Sequence, residues 1–159
     1  MKIIYKEIDK EIEEQIIEIW GDWVRTYGCI HHGEDCYSLA ALIDGVPVGF
    51  ISTYRLQLPQ PLNMYYDAFI DDIEVTEKYR RKGIASKLIA LTEVWAKKHG
   101  SYQVRAWSSD DNVEAISMWH ALSYGICPAI MRGESVIDEF VGKPIHGFYV
   151  SKVLSLTGM

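Results

Sequence analysis

The sequence predicts an α/β domain of the α+β kind, with one mixed sheet flanked by helices. Asp44-Gly45 lies between two β-rich runs, which is a hairpin signal. In the second half, strand patterns alternate with helix patterns. The 159 residues amount to about one ordinary domain, taken as 1–159, large enough to bury a core without staples.

The elements follow in order. Ile3–Ile8 reads as a short first strand. Residues Lys10–Tyr27 carry helical periodicity, with Ile12, Ile16, Ile19, Trp20 and Trp23 recurring at three and four, and Gly28 stops that helix. Trp20, Trp23 and Tyr27 are assigned to the core rather than to an aromatic cage for a cation. "CIHHGED" is a loop. Tyr37–Leu56 forms the hairpin, Pro59 and Pro61 break the chain, and a strand runs over Tyr65–Val75. A helix from Gly83 to His99 follows, with the stripe Ile84, Leu88, Leu91 and Trp95. Lys97, Lys98 and His99 suit its negative end, and Gly100 suits the position beyond it. Tyr102–Trp107 is a strand. "SSDDNVEAISMWHALS" is a helix whose entry signal is Asp111 with Glu114 three later. A strand at Ile126–Met131, a helical turn near Glu134–Phe140 and a last strand at Gly147–Leu154 complete the chain.

Composition narrows the function. Apolar residues make up 48% and aromatic residues 12% of a globular chain. A net charge of −6 argues against an extended nucleic-acid surface. Cys29, Cys36 and Cys127 have no metal-like spacing, so no metal is expected and the thiols are read as reduced. The N-terminal stretch lacks the apolar core of a secretory signal, and no apolar run approaches the roughly 20 residues of a membrane span. The expected location is cytoplasmic, away from membranes.

Against that acidic background, "EKYRRKGIAS" places Lys78, Arg80, Arg81 and Lys82 around Gly83, between a strand and a helix. A helix start offers unpaired N–H groups and about half a positive charge, which together make an anion site. Gly83 leaves the backbone open to a ligand, and Ala85 and Ser86 keep the first turn small. The phosphate-loop motif and the three-glycine dinucleotide motif are both missing. A solvated basic turn is the bland alternative.

Arg80-x-x-Gly83-x-Ala85, following "IEV", resembles the acyl-CoA loop R/Q-x-x-G-x-G/A of the GCN5-related N-acetyltransferases, the GNAT superfamily. "NVEAISMWHALSYG" resembles that family's second motif, with Asn112 and Ala115 matching; the likeness is specific over Phe69–Gly125. It implies a mostly antiparallel central sheet with one parallel, splayed pair and helices on both faces. It implies amides of Arg81, Lys82, Gly83, Ile84, Ala85 and Ser86 cradling the pyrophosphate of acetyl-CoA, with Arg80 adding charge. The backbone of Ile73 and Val75 would pair with the pantetheine arm, and Asn112, Ala115 and Trp119 would line its other side. The implied activity is transfer of acetyl from acetyl-CoA to a primary amine of a small molecule or peptide, by direct transfer in a ternary complex. The rival is an acyl-CoA-binding sensor or assembly module that has lost chemistry. A homodimer is compatible with the resemblance.

Such a transfer needs a base for the amine, a hydrogen bond to the thioester carbonyl, which a strand amide such as Val75 can supply, and a proton for the departing thiolate. The base candidates are Glu74, Asp72 and Asp71. Ile73 and Val75 share one strand face, so Asp72 and Glu74 share the other. Polyamine-acetylating members of the resembled family carry acids matching Asp71 and Asp72. The Tyr that the family places seven residues after its motif Asn is here Trp119, whose indole N–H donates a hydrogen bond but not a proton near neutral pH. His120 or Tyr124 substitutes, or water does, or the thiolate leaves unprotonated. A further departure is Ser123-Tyr124-Gly125 where the family shows Gly-Phe. His31 and His32 are candidates for lining the acceptor pocket.

Overall fold

A computed structural model describes residues 1–132 and 144–154. Among these residues, seven strands form one sheet in the order β1-β2-β3-β4-β5-β7-β6. They are β1 (Ile4–Glu7), β2 (Cys36–Ile43), β3 (Val46–Gln57), β4 (Tyr66–Val75), β5 (Gln103–Ser109), β6 (Gly125–Arg132) and β7 (Pro144–Val153). Among the described residues, only β4 and β5 pair in parallel; every other pair is antiparallel. The helices are α1 (Lys10–Trp20), α2 (Trp23–Thr26), α3 (Ile84–Lys98) and α4 (Val113–Ala121), with a 3-10 turn at Glu77–Tyr79. The mixed sheet expected from the sequence is therefore present, including its single parallel pair.

Helices cover both faces because the strands are apolar on both. On one face Leu39, Ala41, Ile51, Ala68 and Ile70 pack with Ile84, Leu88, Ile89 and Trp95 of α3 and Trp119 of α4. On the other, Ala40, Leu42 and Phe50 pack with Ile12, Ile16 and Ile17 of α1 and Val24 of α2. Side chains such as Phe50, Ile16, Ile51 and Leu88 are wholly buried, each contributing about 1.5–3 kcal/mol of hydrophobic free energy. The β2–β3 hairpin turns on Asp44 and Gly45, both at positive φ, as a two-residue primed turn requires.

The structure corrects several local expectations. The helix over 10–27 is two helices. Gly21, at φ +122°, ends α1, and its N–H reaches back to the Ile17 carbonyl. The Trp23 indole N–H donates to the Trp20 carbonyl at 2.8 Å, fixing the corner. Trp20 and Trp23 pack on the core as expected, but Tyr27 is exposed. Ser108 and Ser109 belong to β5, not to the following helix, and the α4 cap is Asn112, whose side chain accepts from the Ala115 N–H at 3.2 Å. Asp111 instead accepts from the Ser109 hydroxyl. The last strand starts at Pro144, earlier than the expected Gly147. The expected helical turn near Glu134–Phe140 lies outside the described residues.

Candidate active site

Two irregularities of β4 create the site. Ser52 pairs with Asp72 while Thr53 pairs with Ile70, so Asp71 is an extra residue, a β-bulge. Strict alternation would put Asp71 on the face of Ile73. Instead Ile70 and Ile73 both join the cluster that includes α3, whereas Asp71 meets His31 and Asp72 meets Cys29, both from the loop after α2. There Ser52, the cross-strand partner of Asp72, bonds the His31 backbone, and His31 in turn holds Asp71.

The second irregularity is a split. β4 pairs with β5 only over Asp67–Ile70 against Gln103–Ala106. Beyond this, β4 follows β3 to Val75 and β5 follows β7 to Ser109, so the two diverge. Thr76 N–H bonds the Val48 carbonyl. By alternation, Ile73 and Val75 then point their backbone groups away from β3, into the split. The Val75 carbonyl there accepts from Arg80 Nε at 3.0 Å. These are the backbone positions singled out for the pantetheine arm.

The split opens into a cleft of about 980 Å³. Ile73, Val75, Arg80, Arg81, Gly83, Ile84, Ala85, Ser86, Asn112, Ala115 and Trp119 all line it, as do Asp71, Asp72 and Glu74. Lys82 is exposed and is not among the lining residues.

At one end stands the start of α3. The first helical hydrogen bond runs from Lys87 N–H to the Gly83 carbonyl, so the N–H groups of Ile84, Ala85 and Ser86 precede the ladder. Arg81 and Gly83 both take positive φ, +61° and +80°, turning the backbone sharply into the helix. A side-chain carbon added at Gly83 would meet nothing within 4 Å, so glycine is required for its backbone conformation rather than for room. Arg80 and Arg81 approach Glu114 of α4 across the cleft mouth at 3.9 and 4.0 Å, exposed pairs of little energetic weight.

At the other end lies the carboxylate cluster. Burial, and after it the charge of Glu74, push Asp72 up to about 7. Burial raises Glu74 as well, opposed by Arg80. Cys29, from the α2–β2 loop, is buried beside them. Burial and then the Asp72 carboxylate push its thiol up to about 12, which favours the protonated form.

Trp119 sits under the cleft floor at 1% exposure; its indole N–H donates to Ser108 Oγ at 3.3 Å. Its ring lies 4.8 Å from that of Tyr124. Neither proposed substitute acid reaches the cleft. Tyr124 is 3% exposed on the far side of Trp119, and its hydroxyl has no hydrogen-bond partner among the described residues. Burial, reinforced by the charge of Glu93, drives that hydroxyl far above the ordinary phenol range. Exposed His120 shares a separate groove with Tyr124. His32 pairs with Glu13 of α1 at 2.9 Å, away from the cluster, whereas His31 pairs with Asp71 at 2.7 Å. Sequence reasoning missed Cys29, Ser52 and Tyr54: Ser52 and Tyr54 reach this end through the register of β3, and Cys29 through the loop after α2.

Among the described residues, no group of three or more His, Cys, Asp and Glu side chains is arranged to hold a metal ion. None of the described helices is long and apolar enough to cross a membrane.

Among the described residues, a sheet split between its one parallel pair of strands, with the open N–H groups of a helix start at one end of the cleft and a carboxylate cluster at the other, defines the class of α/β domain. The family within that class follows from the chain itself. Residues 4–124 match the acetyltransferase (GNAT) family profile, and the chain belongs to that family. Solved structures share the fold. Arabidopsis thaliana NAA60 in complex with acetyl-CoA superposes with a TM-score of 0.71 at 18% identity, over 96% of this chain and 98% of that one. The ribosomal-protein-S18-alanine N-acetyltransferase of Escherichia coli gives 0.72 at 14%, over 99% and 97%. An N-acetyltransferase from Staphylococcus aureus Mu50 gives 0.73 at 17%, over 98% and 100%. No curated protein matches the chain by sequence.

Proposed function

We propose that the protein transfers the acetyl group of acetyl-CoA to a primary amine of a small molecule or peptide, with both substrates bound together and Asp72 as the base. The observation that carries this reading is the opposition, within one cleft, of the free N–H groups at the start of α3 and the part-buried carboxylates of β4. The residues present fit the cofactor. The N–H groups of Ile84, Ala85 and Ser86, flanked by Arg80 and Arg81, would hold its pyrophosphate, and the β4 backbone at Ile73 and Val75, which faces away from β3, would hold its extended arm. When bound, the cofactor supplies an activated acyl thioester.

The chain's own groups do the rest. Asp71, Asp72 and Glu74 attract an ammonium, and Asp72, poised near neutrality, takes its proton and leaves a nucleophilic amine. Trp119 is committed to Ser108 and Tyr124 lies off the cleft, so no protein acid is assigned. The buried, protonated Cys29 argues for direct transfer over an acyl-cysteine route. Trp119 in the usual tyrosine slot favours one second reading, a module that binds acyl-CoA without chemistry.

Thiol release with acetyl-CoA across peptides, diamines and free amino acids separates the readings. Diamines and peptide N-termini are expected to react, and free amino acids to react poorly, because their carboxylate meets three acids. Binding by calorimetry without release across the whole panel would establish the sensor. No binding at all would sink both.

A further inference from the structure

His31 is held far more firmly than a solvated loop histidine. Its backbone N–H donates to Ser52 Oγ at 2.9 Å, and its carbonyl accepts from Ser38 Oγ at 2.6 Å. Those two hydroxyls lie 3.0 Å from one another, both buried, on β3 and β2. The imidazole packs on the Tyr54 ring at 4.8 Å, and Tyr54 packs on Phe69 of β4 at 5.6 Å. Contacts from β2, β3 and β4 thus aim one nitrogen, Nε2, which donates to Asp71 Oδ2 at 2.7 Å. A carboxylate only accepts, so Nε2 carries the proton. Asp71, the bulged residue, has no strand neighbour of its own to orient it.

We propose that His31 is a positioning residue for the acceptor: it fixes the Asp71 carboxylate so that the second oxygen, together with Asp72, receives the ammonium of a cationic amine. This rests on the transferase reading above for its kinetic consequences, though not for its binding consequences. The hydrogen bond occupies one Asp71 oxygen and leaves the other for the acceptor. The aromatic wall of Tyr54 and Phe69 beside it suits a cation's flanking methylenes. His31 and Asp71 side chains are 30% and 38% exposed, so solvent screens part of the interaction and the effect is moderate.

The test compares H31A, H31Q and D71N. H31A should raise the acceptor KM about tenfold, equivalent to roughly 1.4 kcal/mol. Its kcat should stay within about twofold of the parent, and its acetyl-CoA affinity should be unchanged. H31Q keeps a donor of similar reach and should recover most of the loss. D71N should raise KM at least as much, and H31A should add little to it. Binding is read separately by titrating 1,4-diaminobutane into ¹⁵N-labelled protein without cofactor, where H31A should weaken binding by a similar factor. A protein that turns over no amine sinks the transferase reading but leaves this titration decisive. Equal diamine binding by parent and H31A, or a KM unmoved by both His31 variants, would overturn the inference.

Discussion

At the scale of single residues, the proposed chemistry rests on Asp72. Its folded-state value, about 7, lies above the ordinary 3.8 because burial disfavours the charge. For a carboxyl shifted upward, the penalty is absent below the unfolded value, grows between the two, and is complete above the folded value. At about 1.4 kcal/mol per unit, ionised Asp72 costs on the order of 4 kcal/mol above pH 7, as an upper bound. Asp72→Asn therefore has a double signature. Thermal unfolding at pH 8 should show the variant more stable than the parent, a gain that fades toward pH 4. Its kcat should fall about a hundredfold or more, and the parent's rate should climb with pH through about 7. A variant that is neither more stable at pH 8 nor slower would remove Asp72 from the role of base.

At the level of elements, the β5–β7 pairing sets one wall of the cleft. Gly147 pairs with Ser109, and a side-chain carbon there would collide with the Ser108 carbonyl and the Trp107 ring. Gly147→Ala should destabilise the protein by about 1–3 kcal/mol, read as a lower urea midpoint. It should also weaken acetyl-CoA binding, since Ser108 anchors Trp119. An unchanged midpoint would mean that the two strands part at no cost. The same level shows what was legible. The Asp44-Gly45 hairpin, the α3 stripe and the basic loop are set by local periodicity and turn chemistry, so they were readable. The bulge at Asp71 was not, because an extra residue exists only relative to the partner strand. Nor was the break at Gly21: glycine is tolerated within helices, and the corner is held by the Trp23–Trp20 contact. Asn112 displaced Asp111 as the α4 cap because β5 runs on to Ser109 and shifts the helix start.

For the whole molecule, the cleft lies between halves of one sheet, so a ligand bridging β4, α3 and α4 ties the fold together. At a hundred times its dissociation constant, acetyl-CoA should stabilise the protein by about 2.7 kcal/mol. For a chain of this size that raises Tm by roughly 5–10 °C. A flat thermal-shift titration would remove the account of the loop and the split alike. The expected basic patch also takes a different shape in three dimensions. Lys82 faces solvent, and Arg80, itself exposed, donates to the Val75 carbonyl, so the proposed anion site rests on the backbone N–H groups more than on the cluster of cations.

The sequence by itself determined the alternation of strands and helices, the helix start at Gly83 with its open N–H groups, and the run of acids on β4. All are local properties of propensity, charge and spacing. Only the tertiary structure decided which acids lie together. The β3–β4 register turns Asp71 onto the face of Asp72, and two buried serines carry His31 to Asp71 from forty residues away in the chain. It also decided that Tyr124 lies in the core, outside the cleft. Burial and strand register are properties of pairs of segments, and no single segment carries them.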